Sequence, residues 1–352
     1  LSDWGNLVKS KNLLARINGT DSSKALLLLS HYDSAPHSYS LGASDAGSGV
    51  ATILESVRAF IYAKTKHKND IVILFSDAEE LGLNGAALFV TQHKWASAIG
   101  LVLNLEARGS SGPSCMLMET NKGNAKMITE FSKGNVQYPV SNSLMYSIYK
   151  MLPNDTDLTV FREKGKIQGF NFAFIDNHFN YHTAQDKFEN LNPNTLAHQG
   201  SYILPLLKYF SNSDLSNLNS TDDKIYFNAP FGFVNYPFGW ILPMLLIAFG
   251  LLLLFVFIGL GKQLLRMDEI IKGFFSLFGT LLGVSIHLLI ALFYIKNPYY
   301  NIHGFAFDFS FDYFIKGIQH FDKSVKYVTP FLWKNESIML FIFPLLGYYF
   351  IK

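Results

Sequence analysis

Candidate ligands for divalent metal ions stand at five places in the sequence. They are His31 in His-Tyr-Asp, Asp45 in Gly-Ala-Ser-Asp, the pair Glu79–Glu80, Glu106 in Asn-Leu-Glu-Ala, and His182 in Tyr-His-Thr-Ala. A zinc ion typically takes three protein ligands from histidine and carboxylate side chains and leaves one position for water. Two ions that share one bridging carboxylate need five ligand residues. The set therefore predicts a site for two divalent ions and a hydrolytic reaction.

The residues around these candidates indicate how the roles are divided. Asp45 lies in a turn of glycine, alanine and serine, where small side chains let backbone and metal approach closely, so it is the natural bridging group. The adjacent side chains of Glu79 and Glu80 point in different directions, so one can bind metal while the other stays free as a base. Asp33 is placed to accept a hydrogen bond from the second ring nitrogen of His31 and to fix its tautomer.

Apolar segments precede these candidates and predict the strands that carry them. Short apolar runs predict strands buried on both faces at Leu26–Ser30, Ile71–Ser76, Leu101–Asn104 and Phe170–Ile175. Apolar residues at three- and four-residue spacing predict a helix from Val50 to Ile61, and further helices are predicted over Leu81–His93 and Thr195–Phe210. This alternation predicts an α/β fold with a mostly parallel sheet sandwiched by helices. Chemistry collects at the carboxyl ends of such strands, where His31, the glutamate pair and Glu106 fall.

Each candidate taken alone also has an ordinary structural interpretation. A histidine at a strand end is more often structural than a ligand, and paired glutamates usually lie on a solvated surface. The occurrence of the full set at the expected strand ends favours the metal site. Asp77 is expected to cap the segment that follows it. The histidines without such a context, His37, His67, His93 and His198, are expected on the surface.

The sequence changes character after Tyr236, where Phe, Leu and Ile dominate. Residues 238–260 and 273–295 carry no Asp, Glu, Lys or Arg and are long enough to cross a bilayer as helices, and 338–352 begins like a third, truncated span. A buried core helix is the alternative for each segment. We therefore expect a metal-dependent hydrolase domain over residues 1–212, a polar linker over 213–236 and a multispan transmembrane region over 237–352.

Charge and cysteine content narrow the partners and the topology. Lys262, Arg266 and Lys272 lie in or beside the short connection between the first two spans and predict that it is cytoplasmic. The catalytic domain would then be extracytoplasmic, in the bacterial periplasm or on the lumenal side of a eukaryotic internal membrane. The net charge of +2, without a basic run interleaved with aromatics, argues against a nucleic-acid partner. Cys115 is the single cysteine, so no intrachain disulfide is expected. The N-terminus has no initiator Met and no signal-like apolar region, so we expect the chain to be part of a longer protein.

The motifs resemble those of the M28 family of zinc aminopeptidases. The resemblance is carried by His31-Tyr32-Asp33-Ser34, Gly42-Ala43-Ser44-Asp45, Glu79-Glu80-Leu81-Gly82, Asn104-Leu105-Glu106-Ala107 and Tyr181-His182-Thr183. More narrowly, the chain resembles the membrane-anchored branch, the endoplasmic reticulum metallopeptidase 1 and vacuolar membrane protease group with its bacterial relatives. That branch carries Glu at the position of Glu106, where soluble members usually carry Asp. Asp155-Thr156-Asp157 followed by Phe161 resembles the same branch.

This resemblance implies a role for each residue of the set. One zinc ion would be held by His31, Asp45 and Glu106 and a second by Asp45, Glu80 and His182, so that Asp45 bridges the two ions. Glu79 would act as general base and acid. The implied reaction is hydrolysis of the peptide bond after an unblocked N-terminal residue. The implied substrates are peptides with a free N-terminus, and the spans would lie in the lipid bilayer. The helical segment that normally precedes the first strand in the family is largely absent from this sequence.

Two other functions remain open from the sequence. A glutaminyl-cyclase-like acyltransferase would use the same scaffold with a single zinc ion, and the presence of His31 in the first motif argues against it. A catalytically silent membrane receptor domain would be favoured by the loss of a ligand, and none is lost. The sequence leaves open the preferred N-terminal residue of the substrate and the oligomeric state.

Overall fold

A six-stranded sheet forms the centre of the protein. The computed structural model describes residues 9–21, 23–152 and 155–296, with side chains up to residue 286. The strands of the sheet are β1 (Leu13–Ile17), β2 (Ala25–His31), β3 (Asp70–Ser76), β4 (Ile99–Ala107), β5 (Cys115–Glu119) and β6 (Gly169–Phe174). Across the sheet the order is β1–β3–β2–β4–β6–β5. The four central strands are parallel, and the edge strands β1 and β5 are antiparallel to their neighbours.

The four central strands are the four that the apolar runs predict. All seven residues of β2 are buried, as are all six of β6. Such continuous burial arises because helices cover both faces of the sheet, so apolar side chains are needed on both. The mostly parallel sheet is confirmed.

Helices pack on both faces of this sheet. They are α1 (Gly47–Tyr62), α2 (Asn84–Gln92), α3 (Ala125–Lys133), α4 (Ser143–Met151), α5 (Asp157–Glu163) and α6 (Pro193–Phe210). Residues of α1, α3 and α6 share one apolar cluster with one face of the strands. Residues of α2 and α5 share a second cluster with the opposite face. The expected α/β fold with a covered sheet is thus confirmed.

The segment after the glutamate pair differs from its prediction. The helix expected from Leu81 begins only at Asn84, because Gly82 and Leu83 have positive φ angles of 105° and 59° and belong to a turn. The prediction that Asp77 caps this helix is wrong. Leu83 occupies the N-cap position without a side-chain cap, and the Asp77 carboxylate instead accepts a hydrogen bond from the backbone N–H of Lys11 at 2.6 Å.

Residues 213–236, expected to be a linker, are folded against the sheet domain. Leu215 and Leu218 are 3% exposed and belong to the main apolar cluster. The remainder forms a hairpin of β7 (Lys224–Ala229) and β8 (Gly232–Pro237). A hydrogen bond from the Ser141 N–H to Asn228 Oδ1 at 2.7 Å ties β7 to the segment that leads into α4. The polar composition of the stretch does not predict this burial, because the apolar residues that enter the core are few and separated in sequence.

Two long apolar helices follow the hairpin. They are α7 (Ile241–Gly261), which a short 3-10 turn precedes, and α8 (Met267–Lys296). Residues 238–261 and 267–286 are long and apolar enough to cross a membrane, with mean hydropathy of 3.0 and 1.5. The predicted span at 338–352 lies outside the described residues. The described residues divide into two units, with the boundary after Leu251.

Candidate metal centre

The predicted ligands come together at the carboxyl ends of the central strands. His31 is the last residue of β2, Glu106 lies next to the end of β4, and Glu80 lies in the turn after β3. Asp45 and His182 reach the same place from loops. The ligand atoms form the two expected sets, His31–Asp45–Glu106 and Asp45–Glu80–His182, and within each set the atoms lie within 4.8 Å of one another. A third group within the same distance, His31–Glu79–Glu80, places the Glu79 carboxylate beside His31.

Asp45 belongs to both sets and faces a different imidazole with each of its oxygens. Its Oδ1 lies 3.1 Å from His31 Nε2, and its Oδ2 lies 3.1 Å from His182 Nε2. Glu106 Oε2 lies 3.5 Å from His31 Nε2, and Glu80 Oε1 lies 2.8 Å from His182 Nε2. The Nε2 atom of each histidine therefore faces Asp45 and, at 3.5 Å or less, one further carboxylate.

A buried carboxylate from a distant segment supports the Asp45 loop. Asp186 is 1% exposed, and its two oxygens accept hydrogen bonds from the backbone N–H groups of Ser44, at 2.7 Å, and Asp45, at 3.1 Å. The Ser30 hydroxyl donates to the Ala46 carbonyl, and the Asp45–Ala46 peptide bond is cis. Asp186 is absent from the set that the sequence motifs predict. Its position four residues after His182, in the same polar segment, is the signal that could have found it.

Asp33 makes the predicted contact with His31 mainly through its backbone. His31 Nδ1 lies 3.0 Å from the Asp33 carbonyl oxygen and 3.5 Å from its carboxylate oxygen Oδ1. The two carboxylate oxygens accept hydrogen bonds from the backbone N–H groups of Glu79, at 3.1 Å, and Glu80, at 3.2 Å. Asp33 therefore holds both the ring of His31 and the turn that carries the glutamate pair.

Glu79 lies beside the ligand pairs without an ion pair or hydrogen bond to them, and its carboxylate is within 4.8 Å of ligand atoms of His31 and Glu80. Its side chain is half-buried and makes no hydrogen bond among the residues that the structure describes. Burial raises the pKa of Glu79 well above its usual range, and the nearby carboxylates of Glu106, Asp157 and Asp45 raise it further, against the lowering effect of His31. A carboxyl group with a raised pKa and no fixed partner has the properties of a general base or acid.

The charges of the ligands depend on one another. Burial alone lowers the pKa of His31 and of His182, but their carboxylate partners outweigh it, so the pKa of His31 is well above its usual value and that of His182 is about 9. Burial raises the pKa of Asp45, but hydrogen bonds to His182 and His31 bring it down to about 2. Protons on the imidazoles thus occupy the atoms that a metal ion would bind.

The donor set fits divalent metal ions. Three largely buried carboxylates surround two imidazoles, and within the described part of the chain no lysine or arginine pairs with Asp45, Glu80 or Glu106. Glu80 Oε1 is shielded from solvent and makes no hydrogen bond of good geometry. Buried carboxylates of this kind are costly unless a cation neutralises them. Nitrogen and oxygen ligands in sets of three are typical of catalytic zinc sites.

Two aromatic and charged neighbours complete the surroundings of His182. The Tyr181 ring stacks on the His182 ring with centroids 3.7 Å apart, and the guanidinium of Arg108 lies 5.5 Å from the Tyr181 ring centre. Burial, followed by the nearby Asp45, raises the pKa of Tyr181 far above its usual range, so its hydroxyl stays protonated. The sequence motifs predict no role for the Tyr181 and Arg108 side chains.

A family model described as peptidase family M28 matches residues 12–207. The chain is 35% identical over 218 residues to the vacuolar membrane protease of Candida tropicalis and 31% identical over 207 residues to endoplasmic reticulum metallopeptidase 1 of Rattus norvegicus. These matches cover 61% and 58% of this chain and 23% of each relative, so the chain spans less than a quarter of their length.

Similar solved structures include a zinc aminopeptidase from Bacillus subtilis, with a TM-score of 0.47 and 21% identity over 58% of this chain and 51% of that chain. A glutaminyl cyclase from Bacteroides thetaiotaomicron has a TM-score of 0.45 and 20% identity over 60% of this chain and 81% of that chain.

Proposed function

The chain belongs to peptidase family M28, and on this basis we propose that it is a membrane-anchored aminopeptidase that uses two zinc ions. Its substrates are peptides with a free N-terminus, from which it removes the first residue. His31, Asp45 and Glu106 hold one ion, and Asp45, Glu80 and His182 hold the other. The family motifs support the reaction, and the arrangement of the side chains supports the ligand assignment.

The observation that carries this proposal is the position of Asp45 between the two histidines. Each Asp45 oxygen lies 3.1 Å from a different imidazole nitrogen, and a second carboxylate stands beside each nitrogen. A carboxylate that serves one ion would need only one oxygen directed at a ligand set. Two oxygens directed at two sets are what a bridging ligand requires.

Glu79 is the residue that moves protons in the proposed reaction. It takes a proton from the attacking water and passes it to the amine that leaves when the peptide bond breaks. Its unpaired and half-buried side chain can accept and release a proton without breaking another interaction. Bound zinc would polarise the scissile carbonyl and lower the pKa of the water. Asp33 supports this step, because its carboxylate fixes the backbone of Glu79 and Glu80 together.

The apolar helices support a membrane anchor. Residues 238–261 and 267–286 meet the length and composition of spans, and the first follows β8 directly. We propose that the short connection with Lys262 and Arg266 is cytoplasmic and that the metal centre lies on the other side of the membrane. A cysteine introduced at Gln263 in a Cys115→Ser background should react with membrane-impermeant reagents only from the cytoplasmic side. Labelling from the opposite side would reverse this topology.

The decisive experiment measures zinc and hydrolysis in the same protein. The full chain, purified in detergent, should contain about two zinc ions and hydrolyse aminoacyl reporter amides. Glu79→Gln should keep its zinc and lose hydrolysis, because the amide cannot accept the proton of the water. Glu55→Gln is the matched control, since Glu55 is an exposed glutamate paired with Arg58 on α1 and should leave both quantities unchanged.

Retained hydrolysis in Glu79→Gln would refute the assigned base. A zinc content of about one, together with pyroglutamate formation from N-terminal glutamine, would replace the aminopeptidase by the cyclase alternative. Full zinc binding without hydrolysis of any N-terminally unblocked substrate would favour the silent receptor.

A further inference from the structure

A row of buried polar side chains leads from Glu106 into the interior of the domain. Asn104 and Glu106 lie on the same face of β4 because side chains alternate along a strand. Asn171 of β6 lies directly opposite Asn104 in the parallel pair. Asn104 is 0% exposed and Asn171 is 2% exposed, whereas Val102, two residues earlier on this face, packs in an apolar cluster. Buried amides destabilise a fold unless they are hydrogen-bonded, so packing alone does not account for the two asparagines.

Hydrogen bonds connect this row without a gap. The Asn104 side-chain amide donates to Glu106 Oε1 at 3.0 Å and to Asn171 Oδ1 at 3.3 Å. The Asn171 amide donates to the Tyr149 hydroxyl oxygen at 3.4 Å, and the Tyr149 hydroxyl donates to Glu119 Oε1 at 3.0 Å. The row therefore extends from a candidate metal ligand across β4, β6 and α4 to β5.

The far end of the row determines the direction of every bond in it. Glu119 faces Arg162, whose Nε lies 2.7 Å from Glu119 Oε2, so the carboxylate can only accept hydrogen bonds. The single proton of the Tyr149 hydroxyl is used toward Glu119, and its oxygen is left to accept from Asn171. The amide of Asn171 must then present its nitrogen to Tyr149 and its oxygen to the next asparagine along the row.

The near end of the row acts on Glu106. Because the Asn171 oxygen faces Asn104, Asn104 presents its NH₂ group, and this group donates to Glu106 Oε1. The other oxygen of Glu106, Oε2, is left facing His31 Nε2 at 3.5 Å. Apart from the His31 ring, Asn104 is the only side chain among the described residues that contacts the Glu106 carboxylate within hydrogen-bond distance.

We propose that Asn104 is a positioning residue for Glu106, and that Asn171, Tyr149 and Glu119 fix the direction in which Asn104 donates. This proposal rests on the two-zinc site proposed above. Asn104 donates a hydrogen bond to one Glu106 oxygen and leaves the other directed at His31 and the ion that the His31 set would hold. Zinc affinity of this set, and not of the Glu80–His182 set, depends on the row.

The test is a zinc titration of the full chain in detergent, in competition with a chelator of known affinity. Asn104→Leu removes the donated hydrogen bond while keeping a side chain of similar volume. It should lower the affinity for one of the two zinc ions by about 10- to 100-fold and leave the affinity for the other unchanged. Asn69→Leu is the matched control, because Asn69 is also buried and its side-chain amide donates to the carbonyls of Phe210 and Ser213, away from the metal centre. Hydrolysis by Asn104→Leu should be low at limiting zinc and recover as zinc is raised, which loss of structure would not allow.

A second pair of variants tests the distant part of the row. Tyr149→Phe should lower the affinity for the same ion as Asn104→Leu, but by a smaller factor. This variant tests the row even if Asn104→Leu does not fold. Tyr202→Phe is its control, since this buried tyrosine donates to the Ser114 carbonyl and, within the described part of the chain, makes no hydrogen bond to a member of the row.

Each outcome bears on a separate claim. Wild-type affinity for both ions in Asn104→Leu would overturn the positioning role. If Tyr149→Phe binds both ions with wild-type affinity while Asn104→Leu binds one of them more weakly, the distant residues do not fix the direction in which Asn104 donates. A wild-type chain that binds fewer than two zinc ions would instead contradict the proposed function on which the inference rests.

Discussion

Asp186→Asn should uncouple the Asp45 loop from the segment that carries His182. The carboxylate is 1% exposed and accepts the backbone N–H groups of Ser44 at 2.7 Å and Asp45 at 3.1 Å. Asparagine keeps one acceptor oxygen and places an NH₂ group against the other N–H. Hydrogen bonds to a buried charged group contribute about 1.5–3 kcal/mol each, and an unsatisfied buried donor costs about 1–3 kcal/mol. We therefore expect the free energy of unfolding of the metal-free chain to fall by roughly 3 kcal/mol.

The same substitution should reduce zinc binding, because both ligand sets include Asp45. The measurement is unfolding of the full chain in detergent by denaturant, with and without zinc. Wild type should gain stability on adding zinc according to its affinity, and Asp186→Asn should gain less. The matched control is Asp214→Asn, where an exposed carboxylate also accepts a backbone N–H, that of Ser216 at 2.9 Å. Its free energy of unfolding should stay close to that of wild type, because the carboxylate is solvated.

Two results would refute this reasoning. If Asp186→Asn unfolds like wild type, the two backbone bonds do not stabilise the loop. If it is destabilised but gains as much from zinc as wild type, the loop geometry does not depend on Asp186, and the metal alone positions Asp45.

The remaining predictions concern the ligands and their charges. Although burial lowers the pKa of His182, its carboxylate partners raise it to about 9, above the ordinary value of 6.5, so the metal-free chain should lose stability as pH rises through about 9. Zinc binding near neutral pH should release protons, which calorimetry in buffers of different protonation enthalpy can detect. The apparent zinc affinity should fall about tenfold for each pH unit by which the pH is lowered, for each proton displaced. His31→Ala and His182→Ala should each lower the zinc content from about two ions to about one, and equal loss of both ions in either variant would contradict separate sets. Asp33→Asn should lower hydrolysis more than zinc content, because it loosens the Glu79–Glu80 turn, and unchanged turnover would argue against that role.

The sheet shows where sequence patterns suffice. Leu26–Leu29 is apolar at every position, and only a strand covered on both faces buries such a run completely. The edge strands β1 and β5 are five residues each, and the apolar runs do not predict them. Short strands paired on one side carry a weak pattern, because their burial depends on the neighbour they meet.

The turns show where sequence patterns fall short. The start of α2 shifts from Leu81 to Asn84 because Gly82 and Leu83 take positive φ angles, which the apolar pattern of the segment does not reveal. Leu215 and Leu218 bring a polar stretch into the core, and Leu215 lies against Gly100 of β4, 115 residues earlier in the chain.

The sequence by itself determined the types of the proposed metal-binding residues and the strands that end beside them, because both depend on short local patterns. The tertiary structure alone decided which groups hold those residues in place. Asp186 lies 141 residues from Asp45, and Asn171 lies 67 residues from Asn104. Such partners meet only when the sheet is assembled, since a hydrogen bond requires two groups within about 3 Å and leaves no periodic trace in either segment.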